Sequence, residues 1–581
     1  MGPCPNHDGA IYTNADGVVK FGTKAPLKPI GANMRLALSA KAILAGLCIL
    51  PIFLIAADMP RLEQKSGHLA LAVDGKPFLI LGAQINNSSA WPATLPSVWP
   101  ALEAMHVNTV EAPVYWEQME PESGKFDFSN VDALLAGARE HQLRLVLLWF
   151  GTWKNGQAHY IPEWMKNDTK RYPRAVSAYG KVLPVLSASS ANNLEADKHA
   201  FAALMRHLRE ADAAQRTAIM VQVENESGAI GTVRDYSAVA QKEFAGAVPP
   251  ALSSALHVGS GSWSQVFGPD ADESFTAYSV AHYINEVARA GKAEYPLPMY
   301  CNVWIKYPVH ALEDRDRAIP GQEYPSGGPQ QDNINIWKVA APAIDLLAPD
   351  FYSDDMRFYH EIIAAYQRDD NALFIPETGM HKNSGRYFFY ALGHAAIGFS
   401  PFGVDYTGWT ISDEKIPGWL SEDFALFEPM AGQVAQLNLD GKLQTAIEET
   451  GSVRQQLHFG DVDAVVSFGF PQRDGEMPPG NADSHGRAMV AQLGPLEFLV
   501  TGFDASVSFR LSDVTGKAQN QQLEILRAEE GRYVNNAWQA LRIWNGDQTD
   551  RGLQFKGSHP EVVRICLHTI ELYDRIVARP D

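Results

Sequence analysis

From about residue 69 the chain alternates short β-type runs with helical patterns, and a chain with that rhythm has few ways to close. Strand candidates lie at 78–83, 109–114, 144–150, 218–221, 299–303, 346–351, 372–376 and 397–402. Helical patterns stand between most of them, near 97–105, 129–141 and 275–290. Before the fourth strand, Phe201, Leu204, Met205 and Leu208 repeat at the i, i+3, i+4, i+7 spacing of a helix with one apolar face. Eight such units predict an α/β fold, a (β/α)8 TIM barrel. The alternative, an open doubly wound sheet, would bring a glycine-rich phosphate turn after its first strand, and Gly82-Ala-Gln84 is not one.

Past about residue 425 the texture changes. Val507, Phe509 and Leu511 alternate with Ser506, Ser508 and Arg510, and 464–470 is a further strand candidate. Turn-rich clusters separate these runs, which predicts an all-β, sandwich-like domain. A length of 581 residues exceeds what one core organises and fits such a division. The expected parts are a leader and signal peptide at 1–57, a catalytic barrel at 62–425 and a β-domain at 426–581.

Two of the predicted strands end in a glutamate. Gln222-Val-Glu-Asn225-Glu226 closes one apolar run, and Ile375-Pro-Glu377 closes another. In a barrel of this type chemistry sits at the C-terminal ends of the strands, so both carboxylates are expected at the same rim. Glycosidic bond cleavage needs such a pair, one to protonate the leaving oxygen and one to attack or to activate water. Glu224 competes with Glu226 for the acid's role.

The stretch Gln222-Val-Glu-Asn-Glu-Ser-Gly228 resembles the acid/base motif of family 35 β-galactosidases, written QVENEYG, with Ser227 in place of the tyrosine. A second run, Trp116-Glu-Gln-Met-Glu-Pro-Glu-Ser-Gly-Lys-Phe-Asp-Phe128, is similar to the WxxxEPxxGxFDF segment of families 35 and 42. The resemblance covers roughly residues 70–410, and the C-terminal part resembles the β-domain attached to one bacterial branch of family 35. It implies a retaining exo-β-galactosidase with no cofactor, in which Glu226 is the acid/base and Glu377 the nucleophile. It further implies that Asn225 hydrogen-bonds the sugar 2-hydroxyl and that Tyr352 orients the nucleophile.

The departures matter for specificity. Pro113-Val-Tyr-Trp116 replaces the family's YxPW, and Phe150-Gly-Thr-Trp-Lys-Asn-Gly156 stands where its CAEW segment would be. Lys154 and Asn155 therefore lie where galactose ligands are expected, and Asn302 and Gln84, at strand ends, are further candidates for sugar hydroxyls. Candidate ring platforms are Trp116, Trp149, Trp153, Trp304, Tyr352 and Trp409. Alternatives at this point are a family 42-like or other β-glycosidase, or an inactive carbohydrate-binding protein on the same scaffold.

Charge and cysteine usage narrow the partners. With 48 basic and 67 acidic residues the net charge is −19, a surface that repels phosphate backbones, so nucleic acid is not expected. No CxxC, HExxH or clustered histidine spacing suggests a metal. Met34-Arg35, Lys41 and the apolar run 42–57 read as an export signal cleaved before Asp58, with Met34 as the true start. The apolar run is shorter than the ~20 residues of a membrane span, so no stable anchor is expected, an uncleaved signal anchor being the alternative. Removing the leader takes away Cys4 and Cys48 and leaves Cys301 and Cys566, expected to be free thiols.

Overall fold

A computed structural model describes residues 58–312, 316–405, 418–470, 478–513, 520–557 and 561–571. The leader and export signal at 1–57 and the platform candidate Trp409 lie outside the described residues. Eight parallel strands close into a barrel in sequence order. They are β1 (Ile80–Gln84), β2 (Thr109–Tyr115), β3 (Arg144–Lys154), β4 (Ala218–Asn225), β5 (Met299–Trp304), β6 (Leu346–Phe351), β7 (Phe374–Thr378) and β8 (Gly398–Pro401). β4 pairs with β5 on one side and β8 returns to β1 on the other, which leaves no open edge. The open doubly wound sheet is thereby excluded.

The strands read as near-continuous apolar runs because both faces are covered, one by the barrel interior and one by helices. Every residue of β4 and β6 is buried. Inside the barrel, Tyr300 of β5 donates to Glu111 of β2 at 3.2 Å and packs its ring on Phe374 of β7 at 5.3 Å. The interior is thus a packed core rather than a channel.

Outside β3 and β4 lie two long helices, α1 (Ala191–Asp212) and α2 (Ala271–Glu294). Ser190 caps α1 by accepting from the Asn193 amide, which satisfies one of the free N–H groups of the first turn. The predicted face of α1, Phe201, Leu204, Met205 and Leu208, is fully buried.

Residues from Leu443 onward form two antiparallel sheets of six and four strands. Their facing side chains, among them Leu457, Phe468, Phe498, Val507 and Ile565, make a second core of their own. A helix at Gly418–Phe427 joins this sandwich to the barrel. Phe424 and Phe427 pack on Phe388 at 5.4 and 5.2 Å. Arg487 of the sandwich reaches back to Asp423 of that helix (Nε to Oδ1, 3.0 Å) while its guanidinium lies 4.0 Å over Phe503. Burial pushes the Asp423 carboxyl up to about 6, against the pull of Arg487. Among the described residues no helix is long and apolar enough to cross a membrane.

Candidate active site

β4 ends in a backbone that no ordinary strand adopts. Glu224 and Glu226 have φ of 65° and 43°, in the left-handed region that costs a non-glycine residue energy. The kink is held by a hydrogen bond from the Glu226 amide to Asn302 Oδ1 (2.9 Å) and by one from the Gly156 amide to the Glu226 carbonyl (3.0 Å). Gly228 follows with φ of 132°, and a Cβ there would meet the Ser326 carbonyl oxygen at 2.5 Å. The last glycine of the motif is thus a packing requirement.

The kink sends the two glutamates to opposite faces. Glu224 goes to the outer face, where its Oε2 accepts from the Trp153 amide at 2.7 Å. There it sits beside Asp197 of α1, which itself takes hydrogen bonds from Trp149 Nε1 (3.0 Å) and Thr152 Oγ1 (2.6 Å). Burial, then the neighbouring Asp197, raises the Glu224 carboxyl well above the usual range, so this pair shares a proton. Glu224 is a structural group.

Glu226 turns instead to the rim at the C-terminal ends of the strands, and Glu377 from β7 meets it there. A carboxylate oxygen from each of Glu226, Asp350 and Glu377 lies within 4.8 Å of the other two. The environments differ as an acid and a nucleophile require. Glu226 Oε2 accepts from Asn155 Nδ2. Burial, then the charge of Glu377, pushes Glu226 up to about 8, while the Lys154 ammonium pulls the other way. Glu377 receives two donors, Tyr352 Oη at 2.6 Å and Gln84 Nε2 at 3.1 Å, which fix the orientation of its carboxyl group.

Asp350, at the end of β6, is the group that sequence reasoning missed. Its Oδ2 accepts from Asn302 Nδ2 at 2.7 Å, so one asparagine ties Asp350 to the Glu226 backbone. Burial, then Glu377 and Glu226, raise its carboxyl well above the usual range. The signal was present, since Asp350 closes its strand as Glu226 and Glu377 close theirs. Three carboxylates at this spacing could also grip a divalent cation. The amides of Gln84, Asn155 and Asn302, the Tyr352 hydroxyl and Lys154 already supply the hydrogen bonds and positive charge that such an ion would bring.

Lys154 Nζ donates to Asn225 Oδ1 at 2.9 Å, which fixes the asparagine's amide orientation. Asn225 Nδ2 is buried without a protein partner. Gln84, Asn155, Asn225, Asn302, Lys154 and Tyr352 therefore converge on the glutamate pair. The tryptophans do not. Trp116 and Trp153, read above as ring platforms, are buried, as is Trp149. Trp116 Nε1 donates to Glu120 Oε2 at 2.8 Å, and Trp153 packs edge-on to Tyr283 of α2 at 4.9 Å. Placement near a strand end did not distinguish the outer face from the rim. Trp304 and Tyr352 are the two platform candidates whose rings are exposed.

Residues 70–294 match the family model described as Glycosyl hydrolases family 35, and residues 420–556 match a domain of unknown function (DUF5597). No curated protein matches. Among solved structures, a β-galactosidase from Bacillus circulans sp. alkalophilus is 14% identical at a TM-score of 0.45, over 61% of this chain and 57% of that one. A β-galactosidase from Rahnella sp. R3 is 17% identical at 0.44, over 62% and 58%. An exo-β-1,4-mannosidase from Opitutaceae bacterium strain TAV5 is 17% identical at 0.38, over 64% and 63%. The chain thus spans less than two thirds of the length of each. The match to Glycosyl hydrolases family 35 runs from before β1 to the end of α2 and takes in the Glu226 motif.

Proposed function

We propose that the protein is an exported, retaining exo-β-galactosidase that releases terminal β-D-galactose from oligosaccharides or plant-type glycans. The observation that carries retention is the approach of Glu226 and Glu377 oxygens to within 4.8 Å. Retaining glycosidases hold their carboxyl groups about 5–5.5 Å apart, whereas inverting ones leave room for a water between them. In the reaction, Glu377 attacks the anomeric carbon while Glu226 gives its proton to the departing glycosidic oxygen. Glu226, now a carboxylate, takes a proton from water, and the resulting hydroxide displaces Glu377 to free the sugar with its configuration kept. The free Nδ2 of Asn225 is placed to donate to the sugar 2-hydroxyl.

Galactose is favoured by the family match and by the Gln222–Gly228 motif; export is supported by the apolar run that precedes Asp58. A panel of p-nitrophenyl glycosides tests the sugar. The β-D-galactoside should give the highest kcat/KM, and preference for the glucoside or mannoside would reject galactose. Recovery of native protein whose first residue is near Asp58 would support export, and a membrane form that retains Met34 would reject cleavage.

A further inference from the structure

Among the described residues, every exposed aromatic ring follows the C-terminal end of a barrel strand. Trp91 follows β1, Tyr179 follows β3, Trp304 and Tyr307 belong to β5 and its loop, and Tyr352 follows β6. Among the described residues, the opposite end of the barrel and the sandwich present none. Large rings left in water on a single face mark that face as a binding surface.

Beyond β5 this face carries a cavity of about 630 Å³ between the N-terminal ends of α2 and of helix α3 (Ile334–Ala340). Its ionic groups are already matched: Lys306 with Asp332, Arg317 with Asp270 at 2.7 Å, and Glu273 with the Tyr324 hydroxyl at 2.9 Å. With two cations against three carboxylates, the third of them held by a tyrosine hydroxyl, the lining carries little net charge, which suits an uncharged ligand rich in hydroxyls. Asn333 also lines the cavity, is only 6% exposed, and leaves its Nδ2 without a protein partner. It precedes α3 but its side chain makes no capping bond, so the amide is free for something else. Tyr307 forms the open edge, half its surface in water.

The cavity lies on the acid's side of the pair. β5 borders β4, and Tyr307 is five residues beyond Asn302, at most roughly 18 Å of extended chain from the group that holds the Glu226 backbone. The backbone between is pinned by Gln330, which accepts from the Lys306 amide at 2.9 Å and donates to the Trp304 carbonyl at 2.8 Å. Because the acid protonates the leaving oxygen, that side receives the leaving group.

We infer that Trp304, Tyr307 and the Asn333 cavity form a leaving-group site for a neutral oligosaccharide, so that the substrate is a sugar carried on a chain of further sugars rather than on a small aglycone. This rests on the glycosidase reading of the same rim. The test compares kcat/KM on p-nitrophenyl β-D-galactoside and on a neutral, β-galactosyl-terminated oligosaccharide of four or more residues. Wild type, Tyr307→Ala and Asn333→Ser are compared, serine keeping an acceptable residue at the head of α3. Each variant should lose roughly ten-fold on the oligosaccharide, through KM, as expected for one contact of about 1.4 kcal/mol, and little on the p-nitrophenyl substrate. Equal losses on both substrates, or none on either, would overturn the inference. If Tyr307→Ala unfolds at assay temperature, Asn333→Ser decides alone. Should wild type cleave a different p-nitrophenyl glycoside, the galactose reading fails. The same comparison, run with that sugar at the end of the oligosaccharide, then decides the leaving-group site separately.

Discussion

The barrel rim and the C-terminal sandwich treat buried polar groups in opposite ways. At the rim, Gln84 Oε1, Asn225 Nδ2 and Ser227 Oγ are buried with no protein partner. Among the described residues of the sandwich, no buried side-chain polar atom is left so. There Asp463 accepts from His458 and Gln456, and Glu448 from Asn481 and the Gly486 amide. An unpartnered buried polar group costs roughly 1–3 kcal/mol, so a fold keeps a cluster of them only where something else fills the bonds. The rim is built for a ligand and the sandwich for stability.

The largest effects should come from the rim. Glu377→Ala should lower kcat on the order of 10⁴-fold or more, as loss of a nucleophile does elsewhere. Azide should restore turnover as the inverted α-glycosyl azide; near wild-type activity without azide would remove Glu377 from its role. Glu226→Gln should lower kcat/KM, which reports the first step, about 10²–10⁴-fold on substrates with poor leaving groups and far less on a dinitrophenyl glycoside, whose departure needs no proton. Equal losses on both would mean that Glu226 is not the acid.

The contact between the two regions comes next. Removing one partner of a buried ion pair leaves an uncompensated charge, so Arg487→Ala should cost about 3–5 kcal/mol in denaturant unfolding. A cost below roughly 1 kcal/mol would show that the Asp423 pair does not join the regions energetically.

A pH profile sharpens the rim's side of the contrast. Glu226 must be protonated for the first step, and its pKa stands near 8, so kcat/KM should hold below that pH and fall above it. Lys154 favours the ionised form of Glu226, so Lys154→Met should move the alkaline limb to higher pH. A limb that stays in place, or moves down, would separate Lys154 from the acid. The smallest effect belongs to the sandwich surface. Leu526→Ser, at a side chain 66% exposed, should change stability by no more than about 0.5 kcal/mol and leave activity intact.

The sequence made the barrel legible because parallel strands covered on both faces are apolar without interruption, as 145–150 and 346–349 are. Glu226 and Glu377 stood out for the complementary reason, a charge that ends such a run. Asp350 obeys the same rule less plainly, because Phe351 continues the apolar run beyond it. The tryptophans misled because β3 continues to Lys154, so that Trp149 and Trp153 lie within a strand and point to α1 and α2 rather than to the rim. The sandwich was only partly visible. Its long strand Gln521–Val534 alternates half-exposed polar residues along an outer sheet, a pattern with too few apolar positions to read. The cavity beside Asn333 depends on loops from three parts of the chain and has no local signature.

If Glu226 and Glu377 act together as a retaining pair, the first-formed sugar keeps the β-configuration of its substrate. Proton NMR of the products released from a p-nitrophenyl β-D-glycoside, recorded before mutarotation, reads that configuration. The β-anomer should appear first and the α-anomer only later; an α-anomer as the initial product would refute the retaining pair.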